Sequence, residues 1–305
     1  MLAKFVPSGR VDATSILVAP AVIAIAAGLG WVYQILIEVI PFIYIDALLV
    51  AGLGFGIGLI TAKSVKFGNC RNPIAAGLLG AAAGLAAVGV SHVAAYQHTL
   101  ALAKAQGPVS VSDYLSFRTQ VGWSVGKGGS GVPIKGPFVY VFWAVECLSV
   151  IGFAFAMGRA AGARPYCEEC RRWADSVVTS RAVRTPGAAG VAVVRGADDI
   201  AKLLDLPAGA ADAGGAIGRD ELIYSLTACP ACGGVATLAV QLKTVKLRHP
   251  KKKDVQTSTA MLHDMVLLAP SEVAMVKELV EGIRVGGDEP AADAGAQTAA
   301  SIRPS

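Results

Sequence analysis

Four long runs of apolar residues dominate the first half of the chain, with charged residues concentrated at and between their ends. An α-helix needs about 20 apolar residues to cross the hydrocarbon core of a bilayer. The pattern therefore predicts four membrane-spanning helices at residues 14–40, 42–62, 73–96 and 137–157. The connection between the first two helices is so short that they must form an antiparallel hairpin, and we expect the last two to form another. Residues 97–136 then form an external loop with a short helix near its middle.

Small residues recur at every fourth position in the second and third of these helices. They are Gly52, Gly54, Gly56 and Gly58 in the second helix, and Ala76, Gly80 and Gly84 in the third. In lipid, a stripe of small residues lets two helix backbones approach closely. We therefore expect the second and third helices to pack on each other, and Gly-rich faces of this kind also suit a homo-oligomer. The alternative is that the glycines reflect only a composition rich in Ala and Gly.

After residue 160 the long apolar runs give way to short segments with strand and helix patterns. Strands are predicted at residues 191–196, 221–228, 234–247 and 261–269, and helices at residues 196–207 and 270–283. Strand candidates alternate apolar and polar positions or are rich in β-branched residues, whereas the helix candidates carry apolar residues at helical spacing. Residues 161–285 thus read as a small α+β domain that follows a membrane domain at 1–160. The Ala- and Gly-rich stretch 286–305 is predicted to be disordered.

Charge decides how these parts are oriented. The chain is 54% hydrophobic and 16% charged, whereas a soluble domain has about 25% charged residues. Basic residues flank one side of the predicted bundle at Lys4, Arg10, Lys63, Lys66, Arg71, Arg159, Arg164, Arg171 and Arg172, and the other at Lys104, Arg118, Lys127 and Lys135. Because short cytoplasmic segments carry the excess of Lys and Arg, both termini are predicted to be cytoplasmic. The net charge of +5 does not indicate a nucleic-acid partner.

Four of the six cysteines form two pairs with metal-ligand spacing. They are Cys167 with Cys170, and Cys229 with Cys232. Four thiolates are a common ligand set for structural zinc, and a two-residue gap lets one tight turn supply two of them. The sequence predicts a zinc-ribbon-like domain, although the 58 residues between the pairs exceed the 15 to 20 of a compact ribbon. Redox chemistry and metal-free cysteines remain alternatives, the former disfavoured because Glu168 and Glu169 would raise the thiol pKa.

Ionisable residues within the apolar runs form a second candidate site. Charge at membrane depth is costly, so such residues usually face a bundle interior or water. Glu146 lies in the middle of the fourth helix, and we expect it to find a polar partner such as His92 or to be protonated. Glu38 and Asp46 flank the first hairpin and read as interfacial, solvated acids.

Several local motifs resemble a group of uncharacterised bacterial multi-pass inner-membrane proteins. The shared features are two closely linked first helices, a short basic loop GNCRNP, a GWSxxG-like loop before the fourth helix, the segment PYCEECRRW, and a later CPxC pair matched by Cys229 and Cys232. The resemblance implies a bacterial inner-membrane location and supports the metal site. It implies no activity.

The sequence favours a non-enzymatic role, because it contains no HExxH motif, no phosphate-binding loop and no nucleophile–base set. We expect a membrane-anchored scaffold or interaction module that has the bilayer and a cytoplasmic protein as partners. A small transporter or channel component that uses Glu146 is the alternative, and a membrane thiol oxidoreductase is a weaker one. No catalytic or cofactor-binding residue is predicted besides the four zinc ligands.

Overall fold

A computed structural model describes residues 2–40, 43–102, 110–125, 132–182, 191–192, 194–204, 219–249 and 254–285. The chain forms two compact units. One is continuous, from Pro7 to Arg164, and the other combines residues 1–6 with residues 165–305. The predicted disordered tail at 286–305 lies outside the described residues.

The first unit consists mainly of helices. In chain order its elements are α1 (Ala13–Val39), α2 (Ile43–Phe67), α3 (Pro73–Leu102), α4 (Val111–Val121), β1 (Trp123–Val125), β2 (Val132–Ile134) and α5 (Pro137–Gly162). Helices α1, α2, α3 and α5 are long and apolar enough to cross a membrane, which confirms that the four predicted segments are helices able to span a bilayer. Three of them run five or six residues past the predicted ends, because helical hydrogen bonds continue beyond the apolar run. The short helix predicted within 97–136 is α4.

Close packing in this unit centres on α5, which contacts α3 and α2, while α1 contacts α3. Helices α2 and α3 also contact each other, as predicted, but the predicted role of their small residues was wrong, because the glycines that have close neighbours pack against α5. A Cβ at Gly80 of α3 would lie 2.2 Å from the carbonyl oxygen of Ala154 in α5, and one at Gly54 of α2 would lie 3.1 Å from Val150 Cα. Gly54 and Gly58 of α2 and Gly80 and Gly84 of α3 thus face α5. Gly52 and Gly56 have no neighbour within 4 Å of such a Cβ, because they lie on the other side of α2.

The GNCRNP loop between α2 and α3 holds the segment that precedes α1. Arg71, which is 6% exposed, forms an ion pair with Asp12, and its backbone NH donates to the Arg10 carbonyl at 2.8 Å. The Asn72 side chain accepts hydrogen bonds from the first NH groups of α3, those of Ile74 and Ala75, each at 3.0 Å. Asn at this position followed by Pro73 is a favoured helix start. The GNCRNP motif therefore holds the residues that precede α1 and also begins α3.

The second unit is an α+β domain. Its elements are β3 (Tyr166–Cys167), β4 (Arg172–Trp173), β5 (Asp175–Ala182), α6 (Ile200–Leu204), β6 (Arg219–Ala228), β7 (Ala236–His249), β8 (Asp254–Leu267) and α7 (Pro270–Val285). Strands β5 to β8 form an antiparallel sheet in sequence order, and β3 pairs with β4. Alternate residues of the central strands point into one core, which includes Leu222, Tyr224, Leu226, Leu238, Val240, Val194, Leu203 and Val276.

The structure confirms the strands predicted at β6 and β7 and the helix predicted at α7, and it changes three expectations. Residues 191, 192, 194 and 195 are helical, although the valine-rich sequence of this segment predicted a strand. Val194 is fully buried in the core, so tertiary packing outweighs the weak local preference for a strand. Strand β5 was missed, and β8 begins seven residues before its predicted start.

The start of the chain also belongs to this domain. The Phe5 NH donates to the Met265 carbonyl at 2.9 Å, and the Ala3 carbonyl accepts from the Leu267 NH at 2.8 Å. Lys4 stands opposite Val266 in an antiparallel bridge, and Leu2 packs against the core. Residues 2–5 therefore extend the sheet at the edge of β8. A stretch of four residues is too short to give a strand signal in the sequence.

Candidate metal centre

The sheet topology brings the two cysteine pairs together, although 58 residues separate them in sequence. Strand β5 begins five residues after Cys170, and strand β6 ends at Ala228, immediately before Cys229. The two strands are antiparallel neighbours, with Asp175 paired to Ala228. The start of β5 and the end of β6 consequently lie side by side, which places both CxxC turns at one end of the sheet.

The first turn is a tight hairpin. Cys167 ends β3 and is paired with Arg172 in β4, so Cys170 lies in the connection between these strands. Arg171 has a φ of +51°, a left-handed conformation that lets the chain reverse within a few residues. The rings of Tyr166 and Trp173 meet edge to face, with centroids 5.1 Å apart. This contact fixes the base of the hairpin and positions the two sulfurs.

The second turn connects β6 to β7 and has a related geometry. The Gly233 NH donates to the Cys229 carbonyl at 3.0 Å, and the Cys229 NH donates to the Val235 carbonyl at 2.9 Å. Gly233 has a φ of +66°, as expected for a glycine that lets a metal-binding turn reverse sharply. The NH of Gly234 points at Cys232 Sγ, 3.3 Å away. Such an NH favours a thiolate at this sulfur.

The four sulfurs that the sequence grouped are brought together. All four Sγ atoms lie within 4.8 Å of one another, and those of Cys167 and Cys232 are 3.6 Å apart. A tetrahedral zinc site with Zn–S bonds of about 2.3 Å requires sulfurs about 3.5 to 4 Å apart. Cys167 and Cys229 are 2% and 4% exposed, Cys170 is half-buried and Cys232 is exposed. The set of donor atoms therefore fits a four-coordinate ion that prefers sulfur.

Electrostatics within the cluster favour at least one thiolate at neutral pH. Backbone NH groups of Cys232 and Ala231 lower the pKa of Cys229 to about 6, so this sulfur is mostly ionised at pH 7. The neighbouring Cys232 sulfur raises the pKa of Cys170 to about 12. We had expected the carboxylates of Glu168 and Glu169 to raise the thiol pKa, but the main causes are the other sulfurs and burial. A metal cation relieves this crowding of sulfurs, because it replaces their protons with a shared positive charge.

The polar residues of the four helices form a different group from the one expected. Tyr33 of α1 donates a hydrogen bond from its hydroxyl to Glu146 Oε1 at 2.6 Å. Tyr33, and not the expected His92, is therefore the polar partner of Glu146. The His92 ring instead lies edge-on against Trp143, with centroids 5.5 Å apart. A tyrosine in an apolar helix gives no periodic signal, so sequence reasoning missed Tyr33. Glu38 accepts from Gln34 and pairs with His98 at 2.7 Å.

Comparison of the whole chain with protein-family models, with curated proteins and with solved structures finds no match. The class of protein therefore follows from the fold and the site alone. Among the described residues, four helices are able to cross a membrane, and a strand-containing domain has a four-cysteine cluster that is able to bind a metal ion.

Proposed function

We propose that this chain is a membrane-anchored scaffold or protein-interaction module, whose cytoplasmic zinc-ribbon-like domain is held together by structural zinc. The observation that carries the proposal is the convergence of four sulfurs from two turns that are 58 residues apart in sequence. A redox pair needs only two cysteines, whereas a closed structural metal site needs four. The domain presents no catalytic set among its described residues, which favours a binding role.

The proposed placement is a bacterial inner membrane with both termini in the cytoplasm. Residues 3–5 are hydrogen-bonded to β8, so the start of the chain and the metal-site domain lie on the same side of any bilayer that the helices cross. Four spans, arranged as two antiparallel hairpins, satisfy this requirement. The excess of Lys and Arg on that side supports the cytoplasmic assignment. The location also keeps the thiols reduced and available to metal.

Two alternative functions would rely on different residues of the chain. A thiol oxidoreductase would use the low pKa of Cys229 and would cycle one CxxC pair through a disulfide. A small transporter or channel component would instead use Glu146, which has a buried partner in Tyr33. Four helices make a small conduction unit, so transport would require an oligomer.

The test measures metal content and domain stability in the purified full-length protein. We expect one zinc per chain by elemental mass spectrometry, and none in Cys229→Ser. Structural zinc contributes roughly 10 kcal/mol in finger peptides. The variant should therefore expose the 165–285 region to protease while the four helices remain intact. The control is Cys70→Ser, since Cys70 is also buried but lies outside the cluster and should leave the zinc content unchanged.

Other outcomes would point elsewhere. A protein free of metal that forms a reversible disulfide within one CxxC pair would support the oxidoreductase. Iron in place of zinc would contradict the zinc assignment but not the metal site. For the scaffold role, crosslinking from the cytoplasmic domain should recover the same protein partners with wild type and Cys70→Ser, and lose them with Cys229→Ser.

A further inference from the structure

Three membrane helices bring polar groups to a common point that the metal centre does not involve. Tyr33 on α1 is 4% exposed, and its hydroxyl hydrogen reaches Glu146 on α5, which is half-buried. The 2.6 Å separation is at the short end for an O–H···O hydrogen bond and is typical of an ionised or strongly polar acceptor. A buried tyrosine thus holds one carboxyl group in place.

The second carboxyl group comes from Asp46 on α2. Its Oδ1 atom is buried and has no hydrogen-bond partner among the described residues. Asp46 and Glu146 also lie within electrostatic range of each other. We had interpreted Asp46 as an interfacial, solvated acid, but a solvated carboxylate would not have a fully buried oxygen. A buried carboxylate oxygen without a donor is costly. A proton on Asp46 reduces this cost, because it removes the negative charge.

No basic residue of the four long helices lies near this pair in sequence. Residues 13–62 and 73–102 contain no Lys or Arg, and neither do residues 137–158. Besides Glu146, the titratable and charged groups on the elements around α5 are Tyr33 and Glu38 on α1, Tyr44, Asp46, Lys63 and Lys66 on α2, His92, Tyr96 and His98 on α3, Asp113, Tyr114 and Arg118 on α4, and Tyr140, Cys147 and Arg159 on α5 itself. Lys63, Lys66 and Arg159 lie at the opposite helix ends, His98 pairs with Glu38, and Arg118 acts on Tyr114.

Two carboxylates that lie close together in a largely apolar site, with no nearby counter-ion on the helices that the structure describes around them, are costly to ionise at the same time. We propose that Asp46 and Glu146, with Tyr33 as a fixed donor, form a proton-binding site within the membrane that holds one proton at neutral pH. The proton adds to a carboxylate oxygen and leaves to water, and no other bond forms or breaks. Tyr33 lies six residues before the end of α1, and Asp46 lies three residues after the start of α2. At 1.5 Å per residue, the site is about 5 to 9 Å from those helix ends, within reach of water from that side.

This proposal does not depend on the zinc domain or on the scaffold role. It is tested with dicyclohexylcarbodiimide, an apolar reagent that takes up the proton of a carboxylic acid and forms a bond to its oxygen. The full-length wild-type protein is reconstituted in lipid nanodiscs and treated over a range of pH. Adducts are then located by peptide mass spectrometry. We expect labelling of Glu146 or Asp46 at pH 7 and its loss at higher pH, while the exposed Asp113 stays unlabelled.

Two variants separate a proton site from a merely structural contact, because they change the extent of Glu146 labelling at pH 7 in opposite directions. Tyr33→Phe removes the hydroxyl that donates to Glu146 Oε1, so this oxygen becomes more accessible to the reagent and labelling of Glu146 should increase. Asp46→Asn removes the second carboxyl group that shares the proton, so labelling of Glu146 should decrease. A structural defect would alter the labelling of both variants in the same direction.

Three outcomes would overturn the proposal. The first is the absence of labelling at both carboxyl groups of the wild-type protein at every pH. The second is labelling of Asp113 to the same extent, which would show that the reagent does not discriminate. The third is protection of the wild-type protein by sodium at constant pH, with no protection by potassium, which would identify a sodium site instead. The wild-type measurements need no variant to fold.

Discussion

Helices α1 and α3 approach each other closely at Gly30, and adding a single methyl group there tests the packing of the bundle. A Cβ at this position would lie 2.0 Å from the carbonyl oxygen of Ala87, and 2.6 Å from its carbonyl carbon. Real Cβ contacts are essentially never shorter than 3.0 Å. In Gly30→Ala, the two backbones must therefore separate locally by about 1 Å, because no flexible side chain is available to move.

The free-energy cost follows from that displacement. A gap of 0.5 to 1 Å removes about a quarter to a half of the dispersion attraction of each opened contact. The opened contacts include the fully packed residues Val22 and Ala26 on α1 and Ala83 on α3. Overpacking of this kind costs about 1 to 3 kcal/mol. We expect Gly30→Ala to lower the free energy of unfolding of the helical unit by this amount.

The matched control is Gly28→Ala, two residues earlier in the same helix. A Cβ at Gly28 has no heavy atom within 4 Å, so the same substitution should leave the free energy of unfolding unchanged or slightly increased. The measurement is reversible unfolding in mixed detergent micelles as the fraction of denaturing detergent increases, followed by tryptophan fluorescence. Equal stability of the two variants would show that α1 and α3 do not approach as described here.

Two further predictions concern the side of the membrane and the edge of the sheet. Reporter fusions should be active in the cytoplasm at Ser305 and in the periplasm when inserted within residues 126–131, and an inverted pattern would contradict the assigned orientation. Phe5→Pro removes the NH that donates to Met265 and should destabilise the metal-site domain by about 1 kcal/mol, measured by limited proteolysis of the purified protein. Lys4 and Val266 form a non-hydrogen-bonded pair, so the Lys4 NH points away from β8. Lys4→Pro is therefore the control. Equal sensitivity of both variants to protease would refute the pairing of residues 3–5 with β8.

The sequence by itself determined the features that depend on local composition. Twenty or more predominantly apolar residues predict a membrane helix whatever the rest of the chain does, because lipid leaves no partner for an unpaired backbone. All four spans were predicted within a few residues on that basis. The two CxxC pairs were likewise recognisable, since a tight turn with two sulfurs is a local property.

Only the tertiary structure decided which of these local features meet. The two cysteine pairs converge because β5 and β6 are neighbours, and the sequence does not show which strand pairs with β6. Stripes of small residues on α2 and α3 show that close packing occurs but not with which helix, because a smooth face is the same for every partner. Glu146 was identified from its position, but its contact with Tyr33 joins residues 113 positions apart. Such contacts depend on the summed packing energy of whole helices and strands, which no window of neighbouring residues contains.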